Sequence, residues 1–365
     1  MSKIRVGILF GGRSAEHEVS LQSAKNIVDA IDKKKYEVVL IGIDKNGGWH
    51  LDEGSRFLLQ TTGSELPALT ASSENLALVP GKQEEQLVLL SGQQTPGSLD
   101  VVFPILHGPF GEDGTVQGLL KLANIPLVGA GVLGSAVGMD KDVMKRLLRD
   151  AGIPIARFIV LNKYSAQEVD FDNARDQLGL PLFIKPANLG SSVGIHKVRD
   201  REEFDRAVRD AFKYDNKVLI EECIVGREIE CSVLGNDQPV ASVLGEVLPR
   251  HEFYSYEAKY LDENGALLEI PAKLPQAISE RIRQLAIKTF TVLCCEGMAR
   301  VDFFLRNGEE IIVNEINTIP GFTRISMYPK LWEASGLPYS ELIDKLIGLA
   351  IEKFEREKGL KTDRA

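Results

Sequence analysis

The sequence predicts a mixed α/β protein, and three observations support that class. Apolar runs at residues 4–10 and 36–43 flank a segment with helical apolar spacing, which is typical of a βαβ unit on a parallel sheet. In the second half, paired apolar runs joined by short polar turns predict antiparallel hairpins instead. The length of 365 residues predicts two to three domains.

The composition excludes several classes of function. Hydrophobic residues make up 44% of the chain and charged residues 26%, as in globular proteins. The formal net charge of -9 argues against broad nucleic-acid binding, which needs a basic face. The four cysteines form no C-x-x-C pair, which disfavours zinc-ribbon and thioredoxin chemistry. Because no apolar run is long enough for a signal peptide or a membrane span, we expect a cytoplasmic protein without a membrane partner.

The first part of the chain continues with a predicted strand at residues 101–106. Ligands of open α/β sheets bind beyond the carboxyl ends of the strands, so the loops at 11–18 and 107–114 are the predicted ligand-binding loops. Residues 52–99 are rich in Ser, Thr, Gln and Gly without a strong period, and predict a surface excursion of this domain.

The rest of the chain alternates short strands and helices. Asp140 is the predicted N-cap of a helix that ends near Gly152. Strands are predicted at residues 182–186, 194–198 and 218–222, and a helix at 202–212. Hairpins are predicted at 228–247 and 299–317, and a final helix at 339–357. Pattern changes near 138 and 226 predict three domains, at residues 1–138, 139–226 and 227–365.

The hairpin around Asn307-Gly308 carries the most chemistry. An Asn-Gly pair between apolar runs favours a two-residue type I′ turn. The predicted register pairs Arg306 with Glu309, Asp302 with Val313 and Arg300 with Glu315. Alternate residues of a strand share a face, so one face carries the polar set Arg300, Asp302, Glu315 and Asn317.

Two carboxylates and an amide oxygen on that face form a set of hard oxygen ligands suited to Mg²⁺. The arginine suits a phosphate or a developing oxyanion. A solvated sheet face with an Arg–Glu ion pair is the alternative interpretation.

A second candidate site is the segment at residues 183–194. A strand leads to Lys185 and then to a loop containing Gly190, Ser191 and Ser192, whose backbone N–H groups and hydroxyls suit an anion. The chain contains no Walker A motif, and a plain hairpin turn is the alternative.

Weaker signals have simple structural alternatives. Lys141 is typical of a surface lysine, His107 of a loop histidine and Glu16 of a helix start. Glu221 and Glu222 lie at the end of a predicted strand, where both carboxylates could simply be solvated. Residues 250–265 predict either a lid or an exposed loop.

Together these segments resemble the D-alanine–D-alanine ligases of the ATP-grasp superfamily. The resemblance spans nearly the whole chain in seven ordered segments, at residues 10–20, 107–114, 139–141, 185–194, 256–260, 300–302 and 314–321. It implies a Rossmann-like N-terminal domain followed along the chain by an ATP-grasp fold. It also implies that ATP phosphorylates one D-alanine, that a second D-alanine attacks the acyl phosphate, and that the dipeptide feeds peptidoglycan synthesis.

The resemblance also implies ATP-binding residues. Lys141 and Lys185 correspond to lysines on the α and β phosphates, and Lys259 to the lysine on the transferring phosphate. Glu221 corresponds to the acceptor of the adenine amino group, and Glu228 to the ribose ligand. Further nucleotide contacts are implied at Gly190, Ser191, Ser192, Val193, Glu222 and Ile224. Two Mg²⁺ or Mn²⁺ ions are implied at Asp302, Glu315 and Asn317, with Glu315 bridging.

The implied substrate residues come from both ends of the chain. Glu16 corresponds to the residue that holds the first ammonium group, and His107 falls near the second subsite. Arg300 and the Gly321 N–H correspond to the oxyanion pair, and Ser326 and Met327 to the second carboxylate site. Ser191, Tyr260 and Glu16 are implied to form a hydrogen-bonded link to the lid.

Two positions distinguish this chain within the resemblance. Met327 stands where many members have leucine, and Tyr260 where relatives that make D-alanyl-D-lactate have phenylalanine. A homodimer is a further expectation. Two alternative functions remain: a nucleotide-dependent oxidoreductase, disfavoured by the missing glycine fingerprint, and a non-catalytic amino-acid-binding protein, which has no use for Lys185 or the acidic hairpin.

Overall fold

The computed structural model describes residues 2–52, 74–81, 86–90, 97–164, 170–249 and 266–361. The predicted mixed α/β class is confirmed, with strands arranged in three sheets. Lys259, Tyr260 and the predicted lid at 250–265 lie outside the described residues. Within the described ranges, no helix is both long and apolar enough to cross a membrane.

The first sheet has six strands, in the order β5-β4-β3-β2-β1-β6. Their bounds are β1 Ile4–Gly11, β2 Tyr36–Ile43, β3 Trp49–Asp52, β4 Glu74–Leu78, β5 Leu87–Leu89 and β6 Val101–Pro104. β1 pairs in parallel with β2 and β6, and helix α1 (His17–Ala30) joins β1 to β2 as predicted. The loops that follow β1 and β6 therefore lie at the same edge of the sheet.

The prediction of a surface excursion at residues 52–99 is wrong for its two described strands. β4 and β5 extend the sheet in antiparallel fashion, and Leu76, Leu87 and Leu89 are buried in its core. A few apolar residues are enough to anchor these short strands in the sheet, because only one face of each strand packs against the core.

The second sheet is antiparallel, in the order β7-β10-β8-β9. Its bounds are β7 Phe158–Asn162, β8 Leu182–Pro186, β9 His196–Val198 and β10 Lys217–Glu222. The helices before and around it are α2 Thr115–Leu122, α3 Val132–Met139, α4 Lys141–Asp150, α5 Phe171–Leu178 and α6 Arg201–Ala211. Asp140 caps α4 as predicted, because its side chain accepts from the N–H groups of Asp142 and Val143.

The third sheet is also antiparallel, in the order β13-β12-β11-β14-β15. Its strands are β11 Arg227–Gly235, β12 Val240–Pro249, β13 Ala266–Glu269, β14 Gly297–Arg306 and β15 Glu310–Asn317. The last three helices are α7 Gln276–Val292, α8 Met327–Ala334 and α9 Tyr339–Lys358. Helix α9 returns to the first sheet, where Leu342 and Leu346 share a core with Ile8 and Phe103.

The predicted register of the β14–β15 hairpin is wrong, although its face assignment is right. Asn307 and Gly308 both have positive φ, but Arg306 pairs with Glu310 rather than Glu309. A bulge after Asp302 then adds one more residue on β15, at Asn314. The resulting pairs are Asp302 with Glu315 and Arg300 with Asn317. The two changes together shift the pairing by two residues. Because side chains alternate between the two faces of a strand, a shift of two keeps all four polar residues on one face.

Candidate active site

A cleft with an empty volume of about 1090 Å³, including space open to solvent, gathers most of the predicted residues. Its lining includes residues from the first-sheet loops, the loop after β8, the β14–β15 hairpin and the start of α8. The predicted site residues among them are Glu16, His107, Gly190, Ser191, Glu228, Arg300, Asp302, Glu315, Asn317, Gly321, Ser326 and Met327. The cleft is large enough for a small-molecule ligand.

Glu16 connects the first sheet to the loop after β8. Its side chain is buried just before α1, and the Ser191 hydroxyl donates a hydrogen bond to its Oε1. The Oε2 atom lies close to Gly190, where an added Cβ would be 3.2 Å from it. Ser191 and Ser192 adopt positive φ, so the loop bends tightly at this contact. This hydrogen bond is the part of the implied link to the lid that joins Ser191 to Glu16.

The polar face of β14 and β15 forms the acidic wall of the cleft. Arg300 donates to both carboxylate oxygens of Asp302, at 2.8 Å each, and its Nε also lies 2.8 Å from Glu230. The Asn317 amide donates to Asp302 at 3.0 Å. These side chains are half-buried in the cleft, and the Arg–Glu ion pair of the alternative interpretation is present with Glu230 as the partner.

The oxygen atoms of Asp302, Glu315 and Asn317 fit a hard divalent cation. They come from facing positions on two strands, and Glu315 lies 3.7 Å from the ammonium of Lys141. Among the described residues, no group of three or more His, Cys, Asp and Glu side chains is arranged to hold a metal ion. Because the donors here are carboxylate and amide oxygens, the set suits Mg²⁺ or Mn²⁺ better than zinc.

A second charged group lies beyond this wall. Lys141 is buried at the start of α4 and donates to the carbonyl oxygen of Leu189 at 2.6 Å. Glu221 is fully buried and forms ion pairs with both Lys145 and Lys185. Burial raises the pKa of Glu221, but the two ammonium groups outweigh burial and lower that pKa to about 2. Neither Lys141 nor Glu221 is solvated, so their simple alternatives are wrong.

His107 is held by the loop that follows β15. Its Nδ1 lies 3.1 Å from the Ile319 carbonyl oxygen, and a carbonyl only accepts, so Nδ1 carries the proton. Burial lowers the pKa of His107, which favours the neutral ring. Nε2 is then an acceptor, and among the described residues no hydrogen-bond donor reaches it.

Glu112 holds the same loop from the other side. Its carboxylate accepts from the N–H groups of Gly108, at 2.8 Å, and Ile319, at 3.1 Å. Burial, followed by the neighbouring Glu16, raises the pKa of Glu112 to about 8. Ile319 is thus held at both its N–H and its carbonyl oxygen, which fixes the direction in which the chain enters Pro320 and Gly321.

The start of α8 closes the other end of the cleft. The Ser326 hydroxyl accepts from the Thr323 N–H at 3.0 Å, and no side chain caps the helix. A Cβ added to Gly321 would lie 2.7 Å from this hydroxyl, so only glycine fits there without a shift. Met327, the first residue of α8, is buried.

The remaining predicted residues lie outside the cleft lining. Ser192 and Val193 continue the turn after Ser191, and Ile224 follows β10. The Glu222 side chain is bound to Arg157, which donates to it from Nε at 3.0 Å and Nη2 at 2.8 Å. The Glu222 side chain is therefore engaged by Arg157.

Three residues of the site were missed from the sequence: Glu112, Lys145 and Glu230. Lys145 lies four residues after Lys141, on the same helix face, which was an available signal. Glu112 stands between Gly111 and Asp113 in a predicted ligand loop, and no local pattern distinguishes it from Asp113. Glu230 looked like an ordinary strand residue because its partner Arg300 is 70 positions away.

Comparisons with known proteins converge on one family. Residues 5–130 match the family model described as D-ala D-ala ligase N-terminus, and residues 147–348 the one described as D-ala D-ala ligase C-terminus. A D-alanine–D-alanine ligase of Oceanobacillus iheyensis is 56% identical over 363 residues, covering 100% of this chain and 99% of its own.

Two solved structures extend the likeness to the fold. The D-alanine–D-alanine ligase of Coxiella burnetii has a TM-score of 0.86 at 40% identity, covering 98% of this chain and 97% of its own. The Bacillus anthracis D-alanine–D-alanine ligase complexed with ATP has a TM-score of 0.72 at 28% identity, with coverages of 97% and 99%.

Proposed function

The chain belongs to the D-alanine–D-alanine ligase family, and on this premise we propose that it joins two D-alanine molecules with ATP to supply a peptidoglycan precursor. One observation carries the proposal. A single cleft joins a buried carboxylate at Glu16 to the acidic hairpin face and to the start of α8. Such a cleft offers one end to an ammonium group, the middle to phosphates and the other end to a carboxylate.

In the first half-reaction, a carboxylate oxygen of the first D-alanine attacks the γ-phosphorus of ATP, and ADP leaves. Glu16 pairs with the ammonium of that D-alanine and so directs its carboxylate toward the phosphate. Lys141 and Lys185 neutralise the phosphate oxygens, assisted by the Gly190–Ser192 backbone. Since phosphoryl transfer depends mainly on positioning and charge neutralisation, these fixed groups supply most of what the step requires.

Asp302, Glu315 and Asn317 would hold the divalent cations. When bound, Mg²⁺ or Mn²⁺ would neutralise charge on the phosphate oxygens of ATP. Arg300 keeps Asp302 oriented through its two hydrogen bonds, and Lys141 offsets the charge of Glu315. The hairpin is thus preorganised for positive charge before ATP enters.

In the second half-reaction, the second D-alanine loses an ammonium proton to solvent, its amino nitrogen attacks the acyl carbon, and phosphate leaves. The Arg300 guanidinium and the Gly321 N–H stabilise the oxyanion that develops. Ser326 and the first turn of α8 receive the second carboxylate, because helix N-termini offer N–H groups to anions. His107 lines the cleft, and its Nε2 is an acceptor that orients the incoming amino group.

The proposal is tested by phosphate release from ATP and Mg²⁺ with D-alanine or L-alanine, together with mass spectrometry of the product. We expect one phosphate per dipeptide with D-alanine and little release with L-alanine. Equal rates with the two enantiomers, or phosphate release without dipeptide, would reject the proposed function.

Replacement of Gly321 by alanine should impair use of the second substrate. The added Cβ would meet the Ser326 hydroxyl at 2.7 Å and displace either that hydroxyl or the Gly321 N–H. We expect the KM for the second D-alanine to rise roughly 10-fold or more, since losing one good hydrogen bond to a charged group costs about 1.5–3 kcal/mol. Gly348→Ala is the control, because nothing lies within 4 Å of its added Cβ. Unchanged KM in Gly321→Ala would remove this contact from the site.

Tyr260→Phe should relax the choice of nucleophile. Tyr260 lies outside the described residues, and the family pattern joins its hydroxyl to Ser191 and Glu16. Losing a neutral hydrogen bond costs about 0.5–1.5 kcal/mol, so dipeptide synthesis should persist. A hydroxy acid sheds no ammonium proton and should gain, most clearly at pH 6. Product analysis with D-alanine and D-lactate together checks this, with exposed Tyr164→Phe as control. A variant that makes no more D-alanyl-D-lactate than the parent contradicts the role.

The setting of the reaction is also proposed. Use of ATP supports a cytoplasmic location, with D-alanine and ATP as the partners and neither nucleic acid nor membrane among them. The homodimer and the domain divisions near 138 and 226 remain predictions. Sedimentation velocity tests the first, and limited proteolysis near those positions tests the second.

A further inference from the structure

Lys145 is a buried charged residue to which the proposed reaction gives no role. Its side chain is only 1% exposed, although the next two residues of α4, Arg146 and Leu147, are exposed. The ammonium pairs with Oε1 of Glu221 and lies 5.9 Å from the centre of the Phe158 ring. Burying an ammonium is costly unless it is paired, so this contact holds Lys145 in place.

Glu221 is held equally firmly from the sheet side. It pairs in register with Phe158 on β7 and with Phe183 on β8, which sets a buried carboxylate between two half-buried rings. Lys185 pairs with its Oε2 and lies 5.6 Å from the Phe183 ring centre. Each oxygen therefore has its own ammonium partner, which leaves further lone pairs to accept a hydrogen bond.

The two lysines differ in their other tasks. Lys185 is proposed to neutralise phosphate, so its charge is shared between the phosphate and Glu221 once a nucleotide is bound. Lys145 is nearly inaccessible, and its ammonium lies against Glu221 and the Phe158 ring. It is thus the partner that remains with the carboxylate throughout the reaction.

We propose that Lys145 is a positioning residue that makes the site selective for 6-amino purine nucleotides over 6-oxo purine nucleotides, by keeping Glu221 an ionised carboxylate that only accepts. This inference rests on the proposed role of Glu221 as acceptor for the adenine amino group. A 6-oxo group also accepts, so two acceptors would meet without a proton between them. Without Lys145, only Lys185 opposes the effect of burial, and its charge is shared with the phosphate. The protonated carboxyl, which can donate to a 6-oxo group, is then favoured.

The test compares ATP with inosine triphosphate, which carries a 6-oxo group in place of the 6-amino group and a proton on N1. We expect Lys145→Met to lower the ratio of their kcat/KM values by roughly 10-fold or more, the range of one hydrogen bond to a charged group. The dissociation constants of ADP and inosine diphosphate should converge in the same variant. Lys145→Arg should restore discrimination because it retains the charge.

If Lys145 only stabilised the fold, its replacement would lower kcat/KM for ATP and for inosine triphosphate by the same factor. An unchanged ratio in a folded Lys145→Met variant therefore overturns the inference. If that variant does not fold, Lys145→Gln keeps a hydrogen-bond donor on a side chain one atom shorter but not the charge, and an unchanged ratio there overturns it equally. Lys353→Met is the control, since Lys353 is a buried lysine paired with Glu296 outside the cleft lining. It should leave the ratio at the parent value.

Failure of the underlying role is distinguishable from failure of the inference. Glu221→Gln should itself lower the ratio, because a glutamine amide can donate to a 6-oxo group. If Glu221→Gln leaves the ratio unchanged, the adenine assignment falls and the inference falls with it. If Glu221→Gln lowers the ratio but neither Lys145→Met nor Lys145→Gln does, only the role of Lys145 is rejected.

Discussion

Glu315→Gln should abolish most of the ligase activity while leaving the fold intact. Glu315 faces Asp302 across the hairpin and lies 3.7 Å from Lys141, so its charge would serve both the proposed cations and the proposed phosphate lysine. Glutamine keeps the shape but loses the charge that would neutralise the cations. We expect kcat to fall roughly 100-fold or more, since charge neutralisation by metal ions is worth several kcal/mol.

The measurement is dipeptide synthesis across an Mg²⁺ titration, with thermal unfolding to check the fold. Glu309→Gln removes the same charge from the exposed turn of the same hairpin and should behave like the parent. Near-parental turnover of Glu315→Gln at saturating Mg²⁺ would disprove the metal assignment. An equal loss in Glu309→Gln would show that net charge alone, and not this position, matters.

Arg300→Met should have an effect of similar size for a different reason. Arg300 holds Asp302 with two hydrogen bonds of 2.8 Å and also contacts Glu230. Its loss removes the proposed oxyanion partner and leaves two carboxylates without this cation. We expect kcat to fall roughly 100- to 1000-fold, the cost of removing one oxyanion donor. Stability should fall by about 1.5–3 kcal/mol from the lost charged hydrogen bonds.

Arg306→Met provides a matched control on the same strand, because Arg306 pairs with Glu310 at the exposed end of the hairpin. Exposed ion pairs contribute about 0–1 kcal/mol, so activity and stability should change little. Arg300→Lys should recover part of kcat, since a single ammonium cannot replace two parallel hydrogen bonds. Arg300→Met with normal kcat and reduced stability would limit Arg300 to a structural role.

Local rules predicted the elements that depend on local residues. Asp140 caps α4, and Asn307 and Gly308 adopt the positive φ that their turn requires. The register between β14 and β15 depended on one extra residue at Asn314, which no turn rule encodes. The face assignment was correct only because two shifts of one residue combined.

Long-range pairing explains what was missed in the site. Lys145 belongs to the site because Glu221, 76 positions away, is buried beside it. In sequence alone, a lysine in an amphipathic helix is typical of a solvated face. The family resemblance implied which residues would meet. Lys145 and Glu230 lie outside its segments, and Glu112 lies inside one without an implied role, so all three were identified only through their partners in space.

The bulge at Asn314 also has a consequence for folding. If pairing continued unbroken from the turn, Asp302 would face Asn314 and Glu315 would lie opposite Val301, which is fully buried in the core. An unpaired carboxylate in an apolar core is expensive, so that misaligned hairpin is penalised. The carboxylates proposed for chemistry thus also favour the correct strand alignment. The register that places Glu315 in the cleft is the one that keeps its charge out of the apolar core.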